Sequence, residues 1–122
     1  MKKILVVDDE SDLVQLYQIV LQVAGYTVLG ATNGEKALRL YDENRPDLVL
    51  LDVMMPGMDG IQVCREIRSR ESDGSASTII MYTANDSGEN REASRDAGAN
   101  ELVSKNVSLD SLQSKINSYL RN

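Results

Sequence analysis

At 122 residues the chain is long enough to bury one real core and too short for two, so a single domain over residues 1–122 is expected. Its 13 basic against 19 acidic residues leave a net charge of −6, which repels nucleic acid and anionic membrane surfaces, and no Lys/Arg cluster with interleaved aromatics overrides that field. No apolar run approaches the roughly 18 residues of a transmembrane helix, and the apolar stretch behind Met1 is too short for a signal peptide. A cytoplasmic protein without direct nucleic-acid or membrane binding is expected. The lone Cys64 excludes an internal disulfide, and with no histidine a Cys/His zinc site is out of reach, so any metal must be held by oxygen.

The first apolar run, Lys3 to Val7, ends in three consecutive carboxylates, Asp8, Asp9 and Glu10. Two unit charges about 5 Å apart repel by roughly 3 kcal/mol at an effective dielectric of about 20, so the cluster needs either solvation at a helix start or a counter-ion. Helical spacing follows in Leu13, Leu16, Tyr17, Val20, Leu21 and Ala24. A second run, Thr27 to Ala31, leads to the stripe Ala37, Leu38 and Tyr41. The third, Leu48 to Leu51, runs into Asp52 and is followed by the stripe Ile61, Cys64 and Ile67. The fourth, Thr78 to Tyr82, precedes SGENREASRDA, residues 87 to 97, which offers little beyond Ala93 and Ala97 to bury; this helix is expected to be short, mobile or used as a surface. The fifth, Glu101 to Ser104, precedes Leu109, Leu112, Ile116, Tyr119 and Leu120, with Ser108 as N-cap and Asp110 in the first turn. Gly25, Gly34, Gly57, Gly60, Gly74 and Gly98 fall in or beside the breaks.

Five β-α units imply a parallel sheet with helices on both faces, because right-handed crossovers return each strand parallel to the last. The expected fold is α/β, a doubly wound five-stranded parallel sheet of order 2-1-3-4-5, flavodoxin-like. In such sheets ligands bind outside the carboxyl ends of the strands. Those ends carry Asp8 and Asp9, Asp52, Thr83 with Ala84, and Lys105. An Asp there is often only a helix cap, and a lone Thr or Lys is usually structural. Four strand ends with complementary chemistry suggest more. Carboxylates suit Mg²⁺, which takes one or two of them and a phosphate oxygen. A phosphoryl group needs an oxygen nucleophile, a neutralising metal and donors. Asp52 supplies the first, Asp8 and Asp9 anchor the second, and Thr83 and Lys105 are the donors.

These residues carry a resemblance. DDE after the first strand, LVLLDVMMPGMDG around Asp52, TA after the fourth strand and SK after the fifth are similar to the receiver domain of two-component response regulators over essentially the whole chain. The D-x-x-M-P-x-M-D-G stretch from Asp52 to Gly60 is highly specific. The resemblance implies that Asp52 accepts a phosphoryl group from a histidine kinase or histidine phosphotransfer protein in a Mg²⁺-dependent reaction. It implies that Asp9 and Asp52 ligate the metal directly, Asp8 partly through water and Met54 through its backbone carbonyl. Thr83 and Lys105 would meet the phosphoryl oxygens. By the same resemblance the module would be a signalling phosphoacceptor rather than an enzyme, and with no histidine in the chain the histidine donor would come in trans. A downstream protein or output domain and a phosphorylation-dependent homodimer are the partners left open.

Two positions depart from the family pattern. Asn106 replaces the proline after the lysine; a cis non-proline bond costs about 2.5–4 kcal/mol, so a trans bond is expected. Leu102 replaces the aromatic residue three positions before the lysine, leaving the usual threonine-aromatic switch without its ring. Met54, Met55 and Met58 are expected to pack around the Pro56-Gly57 loop, Cys64 to be a small core residue, and Asn85 to face the site mouth. Rival readings are a pseudo-receiver that binds partners without phosphorylation, a phosphatase-like hydrolase using Asp8 as nucleophile, and a flavodoxin-like cofactor protein. The last suffers from carboxylates where a phosphate-binding loop should be.

Overall fold

The computed structural model describes residues 1–71, 76–85 and 87–121. Gly74, expected at a break, lies outside them. The elements alternate as β1 (Lys3–Val7), α1 (Ser11–Val23), β2 (Thr27–Ala31), α2 (Gly34–Asn44), β3 (Leu48–Asp52), α3 (Gly60–Arg70), β4 (Thr78–Thr83), α4 (Gly88–Ala97), β5 (Glu101–Ser104) and α5 (Leu109–Leu120). The strands form one parallel sheet of order β2-β1-β3-β4-β5, as the alternation predicts.

Because side chains alternate along a strand, each strand feeds two cores. Ile4, Val6, Leu48, Leu50, Ile80 and Tyr82 face Val14, Tyr17 and Leu21 of α1 and Leu112, Ile116 and Leu120 of α5. Leu5, Val7, Val49, Leu51, Ile79 and Met81 face α2, α3 and α4 through residues such as Tyr41, Cys64, Ile67 and Ala97. The lack of strict polar alternation in ILVV and LVLL thus reflects burial on both faces. Helix starts are capped locally: Asn33, Asp59, Ser87 and Ser108 each accept a backbone N–H three residues on, Asp59 within a reciprocal capping box with Gln62.

Three helices correct the periodicity reading: on α5 only Leu112, Ile116 and Leu120 are buried, while Leu109 and Tyr119 are exposed. On α1 the buried stripe is Val14, Tyr17 and Leu21, whereas Leu16 is 41% exposed and Ala24 is exposed. The sequence offers two overlapping apolar faces, and the sheet selects one. On α4 the buried residues are Ser94 and Ala97, with Ala93 only partly covered. This polar helix is anchored at its end by Arg68, which donates to the Gly98 carbonyl and to Asn100 Oδ1.

Gly60 opens α3 directly beneath the end of β3. A Cβ there would lie 2.0 Å from the Asp52 carbonyl oxygen, and the Gly60 amide donates to the Val53 carbonyl. Only a residue without a side chain permits that approach. Gly60→Ala is therefore expected to destabilise the fold by on the order of 2–3 kcal/mol, read as a lower urea midpoint at unchanged slope.

Candidate functional site

The sheet register builds the site. Asp52 pairs with Tyr82 across β3 and β4, and Asp8 follows Val7, which pairs with Leu51. By alternation Asp8, Asp52 and Tyr82 continue the rows of Val6, Leu50 and Ile80, so all three face the α1 and α5 side. Asp8 and Asp52 are 0% and 1% exposed, and Asp9 is exposed beside them. Each of the three carboxylates offers an oxygen within 4.8 Å of those of the other two.

Lys105, one residue beyond β5, is the counter-ion that the acidic run demands. Its ammonium donates to Asp8 Oδ2 at 3.1 Å and to Asp52 Oδ2 at 3.2 Å. Its own amide donates to the Thr83 carbonyl at 2.8 Å, which ties the ends of β4 and β5 together. The Lys105–Asn106 bond is trans, as the cost of a cis non-proline bond predicts. Asp8 Oδ1 accepts the Glu10 amide, and Asp52 Oδ1 accepts the Met54 amide at 3.1 Å. The Met54 carbonyl accepts no hydrogen bond among the described residues.

Burial pushes the Asp52 carboxyl up to about 6, and the Asp8 charge adds to the rise; Lys105 and the Met54 amide oppose it. Burial alone pulls Lys105 down, but the facing carboxylates outweigh it and hold the ammonium above its ordinary value. The site is therefore short of positive charge. An all-oxygen donor set with two buried carboxylates fits a hard divalent cation.

Thr83 is fully buried at the end of β4, where its hydroxyl accepts the Asn85 amide. Among the described residues no hydrogen bond joins it to Asp52. Asn85 is exposed, and its carbonyl accepts Asn90 Nδ2. The methionines divide: Met55 is buried and Met58 packs against the core, whereas Met54 is 57% exposed beside Asp52. Cys64 is buried against the Ala97 carbonyl, and burial pushes its thiol up to about 11, the profile of a core residue. Leu102 packs against the core cluster beneath α2, α3 and α4.

Sequence reasoning missed Tyr82, treated only as the end of a strand. Its hydroxyl donates to Asp8 Oδ2 at 2.5 Å, and its ring meets Tyr17 edge-on at 5.6 Å. The signal was present, because Tyr82 shares the parity of Ile80 and lies level with Asp52.

Residues 4–117 match the family model of the response regulator receiver domain. The chain belongs to the receiver domains of two-component response regulators. This receiver domain is 38% identical over 120 residues to the alkaline phosphatase synthesis transcriptional regulatory protein PhoP of Bacillus subtilis, covering 98% of the chain and 49% of that protein. It is 42% identical over 119 residues to the response regulator MprA of a Mycobacterium species, covering 98% of the chain and 50% of that protein. It thus spans about half the length of the curated relatives it matches. Among solved structures, Vibrio cholerae chemotaxis protein CheY4 superposes with a TM-score of 0.91 at 31% identity, covering 98% of this chain and 99% of that one. Response regulator TrrA of Thermotoga maritima, solved with Mg(2+)-BeF, gives 0.85 at 40% identity, covering 98% and 100%. No described helix is long and apolar enough to cross a membrane.

A raised folded-state carboxyl favours the proton, so its ionisation weakens the fold. The unfolded chain releases that proton near 3.8 and the folded receiver domain near 6. The penalty is absent below pH 4, grows as pH rises through 6 and is complete above it. Asp52→Asn should therefore stabilise the protein by on the order of 2 kcal/mol at pH 7.5 in chelator. That gain should vanish in urea melts repeated toward pH 4.

Proposed function

We propose that the chain is a phosphoacceptor switch in which Asp52 takes a phosphoryl group from a histidine kinase or histidine phosphotransfer protein, with Asp8, Asp9, Asp52 and the Met54 carbonyl as the Mg²⁺ site. The observation that carries this reading is the buried Asp52 carboxylate inside a three-carboxylate cluster, with the Lys105 ammonium shared between Asp52 and Asp8. An Asp52 oxygen attacks phosphorus, forming an O–P bond as the P–N bond to the donor imidazole breaks and the nitrogen keeps the electron pair. Mg²⁺, when bound, would neutralise charge on the phosphoryl oxygens. Lys105, already on Asp52 Oδ2, needs little movement to meet one phosphoryl oxygen. Thr83 requires more, since its hydroxyl must leave the Asn85 amide.

The TrrA complex with Mg(2+)-BeF lends support by similarity. Asp8 is the poorer nucleophile, because three donors engage its two oxygens. No observation favours the pseudo-receiver, since its motivating positions, Leu102 and Asn106, remove no acidic group from the site. The output is a changed surface around α4 and α5, read by a downstream protein, an output domain or a second copy of the chain. The receiver domain is proposed to extend over residues 1–122 as one unit.

Intact-mass analysis after incubation with acetyl phosphate tests the chemistry. A single Mg²⁺-dependent phosphoryl adduct is expected, and it should be absent from Asp52→Asn. An unmodified, folded wild-type chain with both acetyl phosphate and a histidine kinase donor would overturn the proposal. Met54, exposed beside Asp52 and unable to orient water through an apolar side chain, should shield the acyl phosphate. Met54→Asn is expected to lose phosphate several-fold faster; equal or slower loss refutes the shielding role.

A further inference from the structure

Tyr82 is 1% exposed and its hydroxyl is spent on Asp8 Oδ2, the same oxygen that receives Lys105. To meet it the phenol reaches from β4 over Asp52 on β3 towards the end of β1, two strand spacings or about 10 Å away, and the Asp8 side chain closes the remainder. No shorter polar side chain at this position spans that gap. The ring is fixed as well: its neighbour Tyr17 meets it at 84°, and the Lys105 ammonium lies 4.9 Å from its centroid. One buried side chain therefore touches Asp8 and Lys105 together.

This matters because Lys105 is oversubscribed. A single ammonium is shared between Asp8 and Asp52, yet it must also serve a phosphoryl group on Asp52. When it turns to that group, Asp8 loses a donor in a buried place where a carboxylate left short of hydrogen bonds is costly. The neutral tyrosine hydroxyl has no competing acceptor among the described residues and can stay.

We propose that Tyr82 is a positioning residue of the phosphoacceptor site: its hydroxyl holds the Asp8 carboxylate in ligand orientation and so frees the Lys105 ammonium for the group carried by Asp52. The proposal rests on the phosphoacceptor reading above. Hydrogen-bond partners of metal-binding carboxylates commonly contribute about 10- to 100-fold in metal affinity. Tyr82→Phe removes the hydroxyl and keeps the ring against Tyr17 and Lys105.

The test is calorimetric titration of Mg²⁺ into the unphosphorylated whole chain, wild type and Tyr82→Phe, with urea melts as the control on folding. The expected result is a Mg²⁺ dissociation constant weakened about 10-fold in the variant. The Mg²⁺ concentration giving half-maximal phosphorylation by acetyl phosphate should rise by the same factor. A folded variant whose dissociation constant stays within about twofold of wild type overturns the role of Tyr82 and leaves the phosphoacceptor reading standing. A wild-type chain that binds no Mg²⁺ overturns the cation site itself and this inference with it. Should Tyr82→Phe fail to fold, the wild type decides: the Tyr82 ¹³Cζ resonance should move as Mg²⁺ draws density from Asp8, and an unmoved resonance at saturation refutes the proposal.

Discussion

Everything at the carboxyl edge of this sheet depends on one ammonium lying between two buried carboxylates. Asp8 and Asp52 approach each other because a parallel sheet sets the ends of β1 and β3 side by side, and alternation sends both side chains to the same face. Without a cation that pairing would be strongly unfavourable in a buried, low-dielectric place. Lys105 supplies the charge, and the hydrogen bond from its amide N–H to the Thr83 carbonyl supplies the placement. Main chain and side chain of one residue thus join the ends of four elements of structure.

One ammonium against three clustered carboxylates leaves a deficit of positive charge. Burial is the main cause of the raised Asp52 carboxyl and the Asp8 charge adds to it, so the site accepts a proton more readily than an ordinary aspartate; a bound divalent cation would offset the charge contribution. A fold selected only for stability would replace such a cluster with apolar residues. Its place here is the edge where open α/β sheets bind ligands, held by two well-packed cores.

The surroundings divide into rigid and weakly held parts. β3 and α3 are locked by the close approach of Gly60 to the Asp52 carbonyl, so Asp52 sits on fixed backbone. α4 has a polar sequence, buries chiefly Ser94 and Ala97, and is tied to α3 through Arg68. The residues beneath it include Leu102, which packs into the core. Leu102 thus places an aliphatic side chain, not a ring, beneath α4. Tyr82, turned to the opposite face, puts an aromatic group against the acidic cluster instead.

The five strands and the acidic strand ends were legible in the sequence because they follow from local pattern, and the order of the sheet was expected from the common doubly wound arrangement. Apolar runs bounded by helical stripes define β-α units, and a parallel sheet of such units places its carboxyl ends on one rim. The deep likeness of DDE, the stretch around Asp52, TA and SK to receiver domains added the family. What the sequence left ambiguous were matters of facing and contact. Periodicity on α1 admits Leu16 as readily as Val14, and only the packed sheet buries Val14. Nothing local marks Ser94 as a buried residue of α4, because that depends on which face meets the sheet. Tyr82 belongs to the same class: residues 74 positions apart meet at a hydrogen bond only after β3 has been inserted between β1 and β4. The chemistry of each side chain was therefore fixed by its identity. Which oxygen receives which donor, and how one lysine must be shared, was decided by the tertiary structure, because strand register alone sets those distances.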